Sequence, residues 1–406
     1  MKGNREEKKL LLYTYIFCLL CFTNLSILNW PKERFDKTAI IVALVVCGLI
    51  TYAHFIIRKF FPDGDKYIQI FACILTVIGL VVLYRIKPME AVKQVVWFVV
   101  GITLFIIIVV VLPDLKRFSK WKWGYLIITI ALMSMGTLLG KTKSGAKNWI
   151  FIGGYGFQPS EFAKLSLVVY LAAALEKYEK SKDLIVPAIA VMVSLGFMVL
   201  QRDLGSALIF FGMSVTMLYI ATSKVKYVGA CFGLFAVGSV ISYKLFSHVR
   251  VRFLIWRDVW SYATGKGYQI VQSMIAIASG GLFGTGLGLG HPEFIPVNTT
   301  DFIFAVLCEE MGGLMGFAVI ILYFLLFYRC MRAAVYTDNK FSALVAVGYS
   351  AMIASQVLVI IGGVTNLIPL TGITLPLISY GGSSMLTTFI ALGVLQKISE
   401  EATNVE

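Results

Sequence analysis

The chain has 406 residues, of which 58% are hydrophobic and only 14% are charged. Soluble proteins typically carry about 45–50% apolar and about 25% charged residues, so a single soluble domain is excluded. The formal net charge is +14, from 36 basic and 22 acidic residues. Because most basic residues lie in short segments between apolar runs, anionic membrane lipids explain this charge better than a nucleic-acid partner does.

Twelve apolar runs of membrane-spanning length follow one another along the chain. They lie at about 10–29, 39–58, 67–85, 94–112, 122–140, 161–176, 184–200, 203–222, 227–244, 302–328, 341–364 and 383–397. The runs are continuous and do not alternate as the strands of a membrane barrel would. The sequence therefore predicts an all-α polytopic membrane protein, a bundle of about twelve transmembrane helices.

The N-terminus resembles a signal peptide, because the basic segment from Met1 to Lys9 precedes an apolar run that starts at Leu10. That run is long, no small-x-small cleavage site ends it, and Trp30 and Pro31 close it, so we interpret it as an uncleaved first span. Lys and Arg are more frequent in the loops that face inside when the N-terminus is cytoplasmic. Both termini are therefore predicted to lie in the cytoplasm.

Cysteine and histidine give no sign of a metal or redox centre. Cys18 and Cys21 form a CxxC, but two leucines separate them within an apolar run, which favours packing. The three histidines, His54, His248 and His291, have no ligand-like spacing and predict no zinc site.

Three polar or glycine-rich segments, 141–160, 245–301 and 365–382, interrupt the short connections and emerge on one outer face in the predicted topology. Long loops in a compact bundle are usually functional, so we expect the chemistry at the outer mouth. Within the long loop 245–301, an amphipathic stretch at 268–279 could lie in the membrane interface. The glycine-rich run 280–290 fits no nucleotide-binding motif, and a flexible or close-packed backbone turn at the membrane surface is the better interpretation.

Ionisable side chains near the hydrocarbon core are costly and need a reason. Glu161 and Lys164 lie at i and i+3 on one helical face, either as a self-neutralised pair or as a polar wall of a substrate cleft. Asp203 directly precedes the eighth span and could cap that helix. Its neighbour Arg202 could instead meet an anionic headgroup.

Asp301 is the most informative of these residues, since it ends the longest outer loop and begins the tenth span after Thr299 and Thr300, which can cap that helix. On a straight helix Glu309 would lie about 12 Å along the axis from Asp301 and about 80° around it. Those two carboxylates cannot form a tight pair. One acidic residue acting with separate polar groups is the simpler arrangement.

Six motifs occur in order between residues 145 and 398. They are GAKNWI (145–150), QPSEFAKL (158–165), QRDLGSAL (201–208), GYQIVQSMIAIASGGLFGTGLGLG (267–290), TDFIFAVLCEEMG (300–312) and TGITLPLISYGGSS (371–384). In this order they resemble the motifs of the SEDS family (shape, elongation, division and sporulation), which includes RodA, FtsW and SpoVE.

The resemblance implies a peptidoglycan glycosyltransferase of the bacterial cytoplasmic membrane, which polymerises lipid II on the outer face together with a class B penicillin-binding protein. Family members typically have ten spans, so the first two of twelve are expected to be an extension. We therefore divide the chain into 1–120, the N-terminal spans with this extension, and 121–406, a SEDS-like catalytic membrane core with extracellular loop 245–301.

By the same resemblance Asp301 is the essential acidic residue, and a divalent cation, Mg²⁺ or Mn²⁺, is the one cofactor implied. The residues implied to bind substrate are Lys147, Trp149, Gln158, Glu161, Lys164, Gln201, Arg202, Asp203, Gln269, Thr300, Ser379, Ser383 and Ser384.

The chain departs from the family pattern at three places. Asn148 stands where the family commonly has Arg, which leaves Lys147 as the nearest cation, and Arg202 stands where the family often has Pro. The segment 296–300 lacks the Glu and His that often precede the essential Asp, which puts a catalytic role for those two residues in doubt, though not the role of Asp301.

Glycan polymerisation needs a base for the attacking sugar hydroxyl and positive charge for the departing pyrophosphate. Asp301 is the expected base. The sequence does not choose among the candidate cations for the pyrophosphate, which are Lys147, Arg202, Arg250, Arg252 and Lys266.

Two other classes of function remain open. A lipid II flippase should carry a polar track through the membrane midplane, whereas the predicted midplanes are nearly free of charge, which favours surface chemistry. An inactive scaffold for a division or elongation complex is disfavoured by the intact TDFIF stretch. The sequence does not distinguish elongation, division and sporulation.

Overall fold

The computed structural model describes residues 2–28, 35–62, 64–143, 146–153 and 155–403. Trp30 and Pro31, predicted to close the first span, lie outside these ranges. Within them the chain forms the helices α1 (Lys2–Leu28), α2 (Lys37–Phe60), α3 (Lys66–Ile86), α4 (Pro88–Val111), α5 (Lys122–Leu139), α6 (Pro159–Leu175), α7 (Ile185–Leu200), α8 (Leu204–Thr222), α9 (Val225–Leu245), α10 (Ser247–Arg257), α11 (Tyr268–Gly280), α12 (Ile303–Tyr336), α13 (Lys340–Val364) and α14 (Gly382–Thr403).

Each of the twelve predicted apolar runs coincides with one helix, namely α1 to α9 and α12 to α14. Among the described residues, ten helices are long and apolar enough to cross a membrane, and α6 and α14 are not among the ten. The all-α polytopic membrane fold is therefore confirmed. The number of twelve spans and the extracellular position of loop 245–301 stay predictions.

The segment between α5 and α6 folds into a small antiparallel sheet that the sequence analysis did not predict. Its strands are β1 (Lys141–Lys143), β2 (Ala146–Ile152) and β3 (Tyr155–Phe157), in the order β1-β2-β3. Thr142 pairs with Lys147, and Ile150 pairs with Phe157. The central strand contains Trp149 and Ile150, residue types that favour strands.

The chain divides into two compact units. The first comprises 1–111, 269–329 and 374–406, and the second comprises 112–268 and 330–373. The predicted boundary at residue 120, which concerns the extent of the family core, stays a prediction.

Glycines allow close packing within the first unit. A Cβ on Gly101 of α4 would lie 2.7 Å from the ring of Phe389 on α14, and a Cβ on Gly79 of α3 would lie 2.6 Å from the backbone of Ile378. Real Cβ atoms avoid such distances, so these helices approach closely because the side chain is missing. The segment before α14 is thereby packed against α3.

In the second unit, α13 packs against α6 and α8. By contrast, none of the 21 residues of α9, all of them described, is buried. Large apolar side chains such as Phe232 and Leu234 are more than half exposed on this helix. Such a surface is compatible with a lipid environment and not with water.

Candidate functional site

Asp301 lies half-buried in a turn of the first unit, and α12 begins at Ile303, one residue after the start of the predicted run at 302. The carbonyl oxygen of Thr300 accepts a 2.6 Å hydrogen bond from the hydroxyl of Ser379, and the carbonyl of Thr299 accepts one of 2.9 Å from the N–H of Tyr380. The segment that precedes α14 is therefore bound to the residues that precede Asp301.

Gln94 of α4 holds this segment in place. Its side-chain amide donates to the carbonyl of Ser379 (3.1 Å) and accepts from the N–H of Gly381 (3.2 Å). Gln94 is 1% exposed, and the sequence analysis missed it, although a polar residue inside an apolar run was the available signal. Ser383 and Ser384 lie buried in the first turn of α14.

The glycine-rich segment is inserted into a break in α12. Gly312 has a left-handed φ of 85°, and the N–H groups of Gly313 and Leu314 donate to the carbonyls of residues 281 and 282 (2.8 and 3.2 Å). In return, the carbonyls of Glu309 and Glu310 accept from the N–H groups of residues 285 and 286 (2.9 and 3.0 Å). Of the two predicted alternatives, the close-packed backbone turn is the one that the structure shows.

The side chains of Glu309 and Glu310 also face this segment. Glu309 accepts a 3.0 Å hydrogen bond from the N–H of His291, and Glu310 accepts one of 2.9 Å from the N–H of Gly288. Each carboxylate thus accepts a hydrogen bond from the backbone of this segment. That Asp301 acts as a single acidic residue stays a prediction.

In the second unit, Asp203 caps α8 as predicted. Its carboxylate accepts hydrogen bonds from the N–H and hydroxyl of Ser206 (2.9 and 2.7 Å) and from the side-chain amides of Asn148 (2.6 Å) and Gln158 (3.3 Å). Burial raises the pKa of Asp203, although the bonds from Ser206 oppose this effect. Asn148, at the family's usual Arg position, thus contributes a neutral donor to this carboxylate.

Glu161 and Lys164 form a buried ion pair of 2.8 Å, which confirms that they pair. The ammonium of Lys164 also donates to the side-chain oxygen of Gln356 on α13 (3.0 Å). The sequence analysis missed Gln356, another polar residue within an apolar run. Whether these groups also form the wall of a substrate cleft stays a prediction.

Gln201 links α7 to its surroundings. Its side-chain amide donates hydrogen bonds to the carbonyl of Met133 (2.9 Å) and to the hydroxyl of Thr137 (2.8 Å). Its main-chain carbonyl accepts a hydrogen bond from the N–H of Lys147 (2.9 Å). The side chain of Lys147 is exposed, and Trp149 is partly exposed. These contacts fix the end of α7 against the central strand of the sheet.

Two candidate cations, Arg202 and Arg252, act on the same histidine. Burial lowers the pKa of His248, and the positive charges of Arg202 and Arg252 lower it further. Arg252 donates to the carbonyl of Thr371 (3.1 Å), whereas Arg250 donates to the carbonyl of Lys244 (2.9 Å). Of these cations, Arg202 directly precedes α8, whereas Arg250 and Arg252 lie on α10.

The candidate site residues belong to both units. Gln269, Thr300, Asp301 and the three serines lie in the first unit, and the remaining eight, from Lys147 to Asp203, lie in the second. Within the described ranges, no group of three or more His, Cys, Asp or Glu residues could hold a metal ion. Mg²⁺ is commonly held by one or two carboxylates together with substrate phosphates, an arrangement to which Asp301 could contribute one carboxylate.

Comparison with known proteins shows the family. The model of the FtsW, RodA and SpoVE cell cycle proteins matches residues 65–404. The peptidoglycan glycosyltransferase RodA of Mycobacterium tuberculosis is 33% identical over 98% of this chain and 91% of that protein. Stage V sporulation protein E of Bacillus subtilis is 36% identical over 69% of this chain and 80% of that protein.

The fold also resembles that of a solved structure. A chain from a peptidoglycan synthase complex, whose structure concerns the coordination of polymerization and crosslinking, has a TM-score of 0.72 and 26% identity, covering 84% of this chain and 98% of that chain. The chain is therefore a multi-pass membrane protein that belongs to the family of FtsW, RodA and SpoVE cell cycle proteins.

Proposed function

We propose that this chain is a peptidoglycan glycosyltransferase that polymerises lipid II on the outer face of the bacterial cytoplasmic membrane, with both termini in the cytoplasm. The observation that carries the proposal is the anchoring of the turn that holds Asp301. Two family motifs, TDFIF and TLPLISYGGSS, meet there through the Ser379–Thr300 hydrogen bond of 2.6 Å. The activity named for RodA of Mycobacterium tuberculosis agrees with it.

Asp301 acts in this proposal as the general base. Its carboxylate takes the proton from the attacking sugar hydroxyl while the new C–O bond forms at the anomeric carbon of the second sugar. The bond from that carbon to the lipid pyrophosphate breaks, and the pyrophosphate leaves with the electron pair. One displacement with inversion suffices, so no covalent intermediate on the protein is needed.

The residues of the second unit are proposed to bind the lipid-linked substrate. Arg202 and Arg252 are among the candidate cations for the pyrophosphate, because a departing phosphate needs fixed positive charge. Asp301 would hold the implied divalent cation, which would supply further positive charge. We also propose a class B penicillin-binding protein as partner, by analogy with the synthase complex that contains a chain of similar fold.

The test is glycan polymerisation by the purified protein in detergent with lipid II, alone and with its cognate class B penicillin-binding protein. Long glycan strands are expected. The flippase alternative is tested with fluorescent lipid II in vesicles that contain the protein. Translocation of the lipid without any polymer, in the presence of the partner, would overturn the glycosyltransferase proposal.

A further inference from the structure

An ion pair joins α3 to the broken region of α12. Nε of Arg85 lies 3.0 Å from a carboxylate oxygen of Glu310, which is 3% exposed. The guanidinium also donates to the carbonyls of Gly288 (3.1 Å) and Gly290 (3.2 Å), while the Glu310 carboxylate accepts from the N–H of Gly288. The two side chains therefore hold both the N–H and the carbonyl of Gly288.

Neighbouring side chains also fill the space around Gly288 and Gly290. A Cβ on Gly288 would collide with the side chain of Leu28 at the end of α1, and a Cβ on Gly290 would lie 2.7 Å from Cγ of Glu310. The backbone of residues 288–290 is thus packed directly against its anchors. Such a segment has little freedom to shift without breaking the contacts of a buried charge.

The held segment leads directly to Asp301. Glu309 accepts from the N–H of His291 (3.0 Å), and the side chain of Asn298 donates to the carbonyl of Pro292 (2.7 Å). The chain then enters the turn that contains Asp301. There the carbonyl of Thr300 accepts a hydrogen bond from the hydroxyl of Ser379, and the carbonyl of Thr299 accepts one from the N–H of Tyr380. One route of contacts therefore connects Arg85 and Glu310 with Asp301, and all of it lies within the first unit.

We propose that Arg85 and Glu310 are positioning residues for Asp301, acting through the glycine-rich segment. This inference rests on the proposed function. The pair does not touch the reacting atoms, and it fixes the backbone that places the base. Because a displacement of about 1 Å can lower a rate about 100-fold, loss of the pair should affect turnover more than substrate affinity.

The test is the lipid II dependence of polymerisation by Arg85→Ala, Glu310→Gln and the double variant. Each is expected to lower kcat about 10- to 100-fold with KM within about twofold. The double variant should be no slower than the slower single variant, because both act through one contact. Arg85→Lys keeps the positive charge and should recover part of kcat. Such a recovery would show that the loss in Arg85→Ala does not come from a protein that fails to fold.

Lys87→Ala is the matched control, since Lys87 lies two residues away and forms an exposed ion pair of 3.2 Å with Glu90. It should leave kcat unchanged. Hydrogen exchange provides a second readout, because the amides of Gly288 and His291 should exchange faster in Glu310→Gln and in Arg85→Ala than in Lys87→Ala.

The outcomes separate the two proposals. Polymer from the wild type, with unchanged kcat in both Arg85→Ala and Glu310→Gln, would overturn the positioning role and leave the proposed function intact. No polymer from the wild type with its partner would overturn the proposed function and this assignment together. Additive losses in the double variant would also contradict a shared contact.

Discussion

The hydroxyl of Ser379 donates a 2.6 Å hydrogen bond to the carbonyl of Thr300 and accepts one of 2.9 Å from the N–H of Leu375. One small side chain therefore joins two segments whose residues lie 79 positions apart in sequence. Since Thr300 directly precedes Asp301, this contact determines where the proposed base lies relative to the segment before α14.

Replacing Ser379 by Ala should weaken both folding and activity. The N–H of Leu375 and the carbonyl of Thr300 would lose a partner in a buried place, which costs about 1–3 kcal/mol of unfolding free energy. A lower melting temperature and a lower polymerisation rate are expected. Ser279→Ala is the control, because that exposed hydroxyl bonds to the Ala276 carbonyl of its own helix. Equal melting temperatures for the two variants would contradict the prediction.

Two glycines of the glycine-rich segment form a matched pair for stability measurements. Gly281 and Gly284 both have left-handed φ angles, 54° and 83°, so alanine at either position costs about 1–2 kcal/mol. A Cβ at position 284 would also collide with the carbonyl of Glu310, whereas one at position 281 meets nothing within 4 Å.

Gly284→Ala should therefore lose about 1–3 kcal/mol more than Gly281→Ala, through overpacking. Thermal unfolding of both variants in the same detergent measures this difference. Similar melting temperatures would show that the segment is not packed into the break of α12 as described.

The stability of the protein should depend on pH through Asp203. Burial raises the pKa of Asp203, whereas an aspartate in the unfolded state has a pKa of about 3.9. Between these two pKa values the folded state therefore binds more protons than the unfolded state. From that pH upward, the contribution of Asp203 to stability should fall until the raised pKa is passed. Asp203→Asn should abolish this dependence.

Asp258 gives a control of opposite sign, since hydrogen bonds from Ser261 lower the pKa of that exposed carboxyl. Its contribution is present above the unfolded pKa and is lost as the pH falls through the lower folded value. Melting temperatures measured from about pH 2 to about pH 8, a range that includes the pH window of each group, compare Asp203→Asn with Asp258→Asn. If both substitutions changed the pH dependence of the melting temperature in the same way, the effect assigned to burial of Asp203 would be ruled out.

Local spacing made much of the fold predictable. Every apolar run became a helix, Glu161 and Lys164 pair at i and i+3, and Asp203 caps the helix that follows it. These features depend on residues within a few positions of one another, so a period or a cap in the sequence is enough to indicate them.

The contacts that hold Asp301 could not be predicted in the same way. Gln94 meets Ser379 across 285 positions, and the glycine-rich segment exchanges backbone hydrogen bonds with a broken helix. Neither arrangement has a local sequence period. The small sheet at 141–157 was missed for a similar reason, because its short strands carry a weak pattern among glycines and lysines.

The central claim is that Asp301 is the base of a glycan-polymerising enzyme. Asparagine has nearly the shape of aspartate but cannot take up the proton from the sugar hydroxyl. Asp301→Asn should therefore fold and insert into the membrane like the wild type, with a similar melting temperature, and should form no glycan.

The most direct measurement compares the wild type and Asp301→Asn in one polymerisation assay with lipid II and the class B penicillin-binding protein. The account predicts long glycan strands from the wild type and none from the variant. Retained polymerisation by Asp301→Asn would contradict the assignment of Asp301 as the base.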